Sequence, residues 1–342
     1  MTKHLAVFLL TFGFVLGGFA DPAESASRHR HHHHDHDHEH KHGKKKPRKQ
    51  QKKRAAAETP AAPLVHAGHV HSPSHRPNAQ HGLETESLFA FISGSDIGEQ
   101  GEKHVTFFLD GAFGKRDGKF HALTPKLELG FNPTDRLHVA LEVWGDYFKV
   151  SNVTGLQNQD RLGGGVALEF KALLVKRDPS PIGIALIVAP HYANSEHATG
   201  ERAVHYALEF KLAADMEIVK DRVIAAINLL YEPERVRAAG ETEWEKESML
   251  GVTGGIMVRV AKNVFLGAEA QYYRKYEGLF LETFAGHALY LGPAISIKLN
   301  EQATFTAGWA IQVAGGAAGD PAWLDLVNFE RMRAKAKLHF HF

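Results

Sequence analysis

Residues 331–342 read Arg-Met-Arg-Ala-Lys-Ala-Lys-Leu-His-Phe-His-Phe, a pattern awkward for any soluble sheet. With period two, one face is Met332, Ala334, Ala336, Leu338, Phe340 and Phe342. The other is Arg331, Arg333, Lys335, Lys337, His339 and His341. Successive side chains of a strand point to opposite faces, so one side here is wholly apolar and the other wholly cationic. That suits a wall with lipid on one side and water or counter-charges on the other. The competing reading is an amphipathic edge strand of a soluble sandwich, and the rest of the chain argues against it.

At the other end, Lys3 and His4 precede an apolar run over residues 5–20 that closes in Gly18-Phe-Ala20 before Asp21-Pro22. This predicts a secretory signal peptide over 1–20 with a small-x-small cleavage site. The run is short for a spanning helix, which needs ~20 apolar residues. No later segment reaches that length without charge, which excludes a helical membrane protein. The chain has no cysteine, so disulfides and thiolate ligands are excluded too. Its formal charge of +1 is unevenly spread. Residues 21–82 hold 12 Lys+Arg against 6 Asp+Glu, and residues 83–342 hold 27 against 33.

Residues 21–82, rich in His, Lys, Pro and Ala, cannot form a core and are expected to be a disordered periplasmic tail. Residues 83–103 form a lead-in segment, and 104–342 read as alternating apolar and polar strands. The predicted fold is all-β: a closed antiparallel transmembrane β-barrel of about twelve strands. They are expected near 104–114, 119–131, 136–149, 161–175, 182–192, 202–218, 222–232, 247–260, 264–275, 285–299, 302–313 and 328–342. Short turns alternate with longer polar loops near 150–160, 193–201, 233–246, 276–284 and 314–327, the rim asymmetry of outer-membrane barrels. An even strand count puts both ends of the barrel on the short-turn, periplasmic side.

Outward sets include Leu137, Val139, Leu141 and Val143, and Val204, Tyr206, Leu208, Phe210 and Leu212. Predicted lumen charges are Glu128, Glu142, Glu169, Lys171, Glu209, Lys211, Glu269, Arg331, Arg333, Lys335 and Lys337. Buried charge is costly unless paired, so the Glu set is expected to face the Arg/Lys row as a ladder of ion pairs. That ladder serves either as packing of a narrow barrel or as a selective pore lining. Phe131, Trp144, Tyr147, Phe148, Tyr192, Tyr231, Tyr272 and Tyr273 are expected in interfacial girdles.

The alternating, Phe-terminated last strand resembles the terminal strand by which bacterial outer-membrane β-barrels are recognised for insertion. That resemblance implies outer-membrane lipid and the barrel-assembly machinery as partners. Leu88-Phe-Ala-Phe-Ile-Ser-Gly-Ser-Asp-Ile-Gly-Glu-Gln-Gly-Glu-Lys103 resembles the lead-in of a poorly characterised family of proteobacterial outer-membrane barrels, which implies no known activity.

The densest chemistry is in the tail. His29, His31, His32, His33, His34, Asp35, His36, Asp37, His38, Glu39, His40 and His42 interleave imidazole with carboxylate, and His66, His69, His71, His75 and His81 follow. Such a chain offers interchangeable nitrogen and oxygen ligands without fixed geometry. That predicts labile divalent transition metal, Zn first, with Ni, Co or Cu as alternatives; a merely solubilising or pH-sensitive tail is the bland reading. The tail resembles those of bacterial zinc, nickel and cobalt handling proteins, where they collect metal. In the barrel, two weaker metal candidates are His104 with His339 and His341, and His191 with His205. The latter pair oppose each other if their strands pair symmetrically about residue 198.

The basic run over 44–54 would touch anionic lipid or the cell wall, or act as a spacer; an exported chain gives it no nucleic-acid partner. A barrel lipase would need Ser, His and an amide on one outer face. None appears there, and Ser296 alternates inward, so no enzyme is expected. The sequence therefore predicts a monomeric outer-membrane barrel assisting passage or periplasmic capture of divalent transition metal or a chelate, with a periplasmic metal-binding protein or the cell wall as a further partner. The alternative is a non-transport adaptor or structural barrel. An open lumen favours the first and a filled one the second.

Overall fold

The computed structural model describes residues 83–342. The expected signal peptide, the tail and its histidines lie outside the described residues. Twelve strands follow in order: β1 (Lys103–Phe113), β2 (Lys119–Thr134), β3 (Leu137–Ser151), β4 (Gln159–Val175), β5 (Ile182–Ser195) and β6 (Arg202–Val219). Then come β7 (Val223–Ala238), β8 (Glu245–Ala261), β9 (Val264–Glu277), β10 (Thr283–Lys298), β11 (Ala303–Ala317) and β12 (Met332–His341). Each strand pairs antiparallel with its neighbours in sequence, and β1 pairs with β12, closing the barrel. Closure leaves no unpaired edge, which a wall facing hydrocarbon requires because lipid satisfies no backbone group. At the seam His104 faces His341 and Thr106 faces His339. The backbones of Lys103 and Phe342 exchange both hydrogen bonds (3.0 and 2.9 Å).

The period-two alternation is realised all round. Phe107, Leu109, Leu129, Leu141, Val143, Leu168, Phe170, Leu212, Leu229, Leu266, Leu291 and Trp309 lie exposed on the outside. An apolar belt of that extent is untenable in water and is the surface a lipid phase covers. The girdle expectation needs correcting at three positions. Trp144 faces the lumen, Phe148 is fully buried against Phe120 and Val150, and Tyr273 packs inside with Tyr290 and Phe329. All three have inward parity on their strands.

The lead-in segment folds into the barrel. Leu83, Leu88, Phe89, Ala90 and Ile92 are buried against Ile224, Ala226, Met257, Phe265 and Ala294 of the wall. These wall residues all sit near the short turns, so the segment plugs that half of the lumen on the β6–β11 side. A Cβ on Gly308 would lie 2.6 Å from that of Ala90, so only glycine lets the plug lie this close. At the opposite mouth the β11–β12 loop turns inward, and its Leu324, Asp325 and Phe329 are buried.

Candidate functional site

Because the plug's backbone is buried inside the barrel, its polar groups need polar partners from the wall. Glu269 accepts from the backbone N–H of Ala90 (2.7 Å) and Phe91 (2.8 Å). Asn228 accepts from Ser93 N–H and donates to Ser93 O, both at 2.8 Å. Asp215 accepts from the Thr85 hydroxyl (2.8 Å) and Ser95 N–H (2.5 Å), and Thr306 donates to Ser87 O. Lys171 donates to Asp96 O, while Arg177 pairs with both Asp96 and Asp215. Polar wall residues on this side therefore bind protein.

On the other side of the lumen the plug borders a cavity. This cavity, of about 530 Å³, runs from Glu196, His197 and Phe329 near the long loops to Glu86, His104 and His138 near the short turns. Among the described residues its lining carries twelve Asp/Glu, seven Lys/Arg and six His. Of the expected lumen charges, Glu128, Glu142, Glu169, Lys171, Glu209, Lys211, Arg333, Lys335 and Lys337 line it. Two expectations change. Arg331 is exposed, because β12 begins one residue later and Arg331 belongs to the loop, where its N–H donates to Gly114 O. Glu269 lies beneath the plug instead of facing the cavity.

The expected ladder between the Glu set and the last strand's cations also changes. Lys335 pairs with Asp110 (3.1 Å) and Arg333 with Glu330. Lys126 pairs with Glu142 (2.9 Å), and Lys211 with Glu209 of its own strand (2.7 Å). These four pairs join residues close along the chain or on neighbouring strands. Glu128 and Glu142 stand directly opposite in the β2–β3 register, so like charges share one patch of wall. Outside the spanning strands, burial pushes the Glu86 carboxyl up to about 7 and the Lys115 ammonium down to about 8. Burial also favours the neutral form of Glu330, but Arg333 beside it holds its carboxyl below the usual range.

Both histidine groups are present, each altered. His104 and His339 converge with 5.0 Å between ring centroids, but their closest third imidazole is His138, stacked on His104 at 4.6 Å. His341 lies edge-on to His339, with 5.9 Å between ring centroids. Glu86 of the plug and Glu128 of β2 flank His104 at 3.6 and 3.1 Å. Strand parity alone could have found His138, which alternates with Ala140, Glu142 and Trp144; no signal located Glu86, because its place depends on the plug. His191 and His205 are not directly opposed. Their strands pair about residue 199, setting His191 against Ala207 and His205 against Ala193. The rings still meet edge-on at 5.6 Å, and Glu232 and Glu234 lie 3.5 and 2.8 Å from them.

Comparison with solved structures places this barrel near the COG4313 outer membrane channel from Pseudomonas putida F1. The TM-score is 0.51 at 9% identity, over 72% of this chain and 98% of that one. The translocator domain of the autotransporter NalP from Neisseria meningitidis gives a TM-score of 0.44 at 10% identity, over 72% and 90%. The KdgM porin gives 0.40 at 11%, over 70% and 99%. At 9% identity, the first of these shows the barrel fold. The profile of a family of unknown function, DUF6662, matches residues 81–342. No curated protein matches the chain.

Proposed function

We propose that this chain, which belongs to the DUF6662 family of unknown function, is an outer-membrane barrel that admits small cations to the periplasm, its cargo a divalent transition metal ion or chelate. The observation that carries this reading is the composition of the cavity: twelve carboxyl groups, seven basic groups and six imidazoles. Excess carboxylate inside low-dielectric walls focuses a negative potential, concentrating cations and repelling anions. Imidazole beside carboxylate suits borderline metals such as Zn²⁺, Ni²⁺, Co²⁺ and Cu²⁺ better than Mg²⁺ or Ca²⁺.

In this reading the short-turn rim and the tail that precedes Leu83 are both periplasmic. Its histidines would capture metal after entry and keep the free concentration low. The purified full chain in a planar bilayer under a salt gradient is expected to show a cation-selective reversal potential. A strain lacking the protein is expected to accumulate less Zn²⁺, Ni²⁺, Co²⁺ or Cu²⁺. Anion selectivity would overturn the reading.

The plug supports the adaptor alternative, since it packs inside the lumen against the wall of β7 to β10. Absence of conductance even when the plug is loosened, as by Glu269→Ala, would decide for that alternative.

A further inference from the structure

Where the plug meets the first strands, three side chains from three separate segments converge. Glu86 of the plug, His104 of β1 and His138 of β3 offer ligand atoms that all lie within 4.8 Å of one another. Both imidazoles are buried, at 4% and 2% exposure. We propose that Glu86, His104 and His138 form a transition-metal site that pins the plug to the barrel wall. The site does not depend on cation passage: a barrel that conducts nothing could hold it equally well.

The surroundings are built for ligation. His138 donates its Nδ1–H to Asn132 Oδ1 at 2.7 Å, which leaves Nε2 with a free lone pair. His104 directs Nε2 at Glu128 (3.1 Å) and Nδ1 toward Glu86 (3.6 Å). A Glu128 carboxylate accepting from Nε2–H would fix the ring with Nδ1 facing the ion, the carboxylate–histidine–metal arrangement that orients ligands and raises their basicity. Both rings lean over Gly130 of β2. A Cβ there would collide with His104 Nε2 and come within 2.6 Å of His138 Cε1, so the strand between the two imidazoles is bare where they meet.

A separate observation points the same way. His339 is 4% exposed, and its ring lies 5.0 Å from that of His104. Its Nδ1 hydrogen-bonds with the Thr106 hydroxyl (3.0 Å), while its Nε2 is buried with no hydrogen-bond partner among the described residues. A buried polar atom without a partner is costly, and a ligand at this cluster would supply one. Two imidazoles and one carboxylate, with a third imidazole adjoining, suit Zn²⁺ or Co²⁺ in four-coordinate geometry. Thiolate-seeking and all-oxygen ions are poorly served.

Co²⁺ serves as the probe, because four-coordinate Co²⁺ absorbs visible light strongly whereas six-coordinate Co²⁺ on a flexible tail absorbs weakly. The folded full chain in detergent is titrated with CoCl₂ beside full-length Glu86→Gln, His138→Asn and His339→Gln. All four carry the same tail, so differences between them report the barrel. The parent is expected to show one equivalent of the intense band, displaced by Zn²⁺. Glu86→Gln and His138→Asn are expected to lose it or need at least tenfold more Co²⁺, and His339→Gln is expected to shift it. Heat-modifiable gel mobility confirms that each variant is folded. In the parent, but not in Glu86→Gln or His138→Asn, Zn²⁺ should also slow amide exchange of residues 83–98. The proposal fails if the parent lacks the band, or if folded Glu86→Gln and His138→Asn keep it unchanged.

Discussion

Glu269 of β9 receives the backbone N–H groups of both Ala90 and Phe91, at 2.7 and 2.8 Å, in a pocket where it is 3% exposed. One carboxylate thus holds two consecutive amides of a segment that would otherwise leave them buried without partners. Hydrogen bonds to a charged acceptor contribute roughly 1.5–3 kcal/mol each. Glu269→Ala is expected to loosen the plug while the strand ladder persists. Exchange of the Ala90 and Phe91 amides should accelerate at least tenfold, and bilayer conductance should rise. Unchanged exchange would mean that the apolar cluster around Phe89 holds the plug unaided.

Gly130→Ala tests the packing of the imidazoles. The new Cβ collides with His104, so the ring must leave Glu128 or the strand must shift. Overpacking of this kind costs about 1–3 kcal/mol. Gly145→Ala is the control, because the nearest atom to a Cβ there is Gly163 O at 4.0 Å. Urea unfolding of the two variants in detergent should show a lowered midpoint for Gly130→Ala only.

The wall was legible in the sequence because a barrel writes its two environments directly into residue parity. Leu137, Val139 and Leu141 against His138, Ala140 and Glu142 suffice to orient β3, and the loop residues mark where parity resets. Pairing between distant residues was less legible. The β5–β6 centre moved from 198 to 199, which changed which residue faces His191. The plug was missed for a different reason. Leu88-Phe-Ala-Phe-Ile92 is a continuous apolar run, which marks burial on all sides but does not say where. Glu86 therefore could not be joined to His104 and His138 before the plug was placed. Glu269 likewise reads as a lumen charge until the amides of Ala90 and Phe91 lie over it.

Phe342 bears on closure. It is 64% exposed, yet its backbone exchanges two hydrogen bonds with Lys103 across the seam. Deleting it removes both bonds and, by resemblance to terminal strands of outer-membrane barrels, the contact read during assembly. Membrane fractions from cells expressing the truncated chain should contain severalfold less heat-modifiable barrel. Normal amounts would count against that resemblance.

Lys115, in the β1–β2 loop, gives a dependence on pH. Burial lowers its ammonium from 10.5 to about 8, against the opposing influence of Glu330, Asp325 and Glu196 and with Lys275 adding to the shift. Its Nζ donates to Val327 O at 3.2 Å. Between about 8 and 10.5 the unfolded chain binds the proton that the folded chain has released, so this group makes stability rise with pH across that window. The contribution is at most roughly 3–4 kcal/mol, from ~1.4 kcal/mol per unit over the shift from 10.5 to about 8. Urea unfolding at pH 7.5 and 9.5 should show a gain in the parent that is smaller in Lys115→Met. Equal gains in both would assign the effect to other groups.

The tail provides the last test, of capture as distinct from passage. Residues 29–42 contain nine His and three carboxylates in fourteen positions, so many overlapping ligand sets are available and none is fixed. Weak, multiple and exchangeable binding follows from that redundancy. Calorimetry on a peptide spanning 21–82 is expected to show more than one equivalent of Zn²⁺ or Ni²⁺. Mg²⁺ and Ca²⁺ prefer all-oxygen sites and should give negligible heat. In the full chain, replacing the nine histidines by Ser should remove most of the bound Zn²⁺ without changing heat-modifiable mobility, and the intense Co²⁺ band assigned to Glu86, His104 and His138 should survive. If the Ser variant holds as much Zn²⁺ as the parent, the tail is a spacer and capture belongs to the barrel alone.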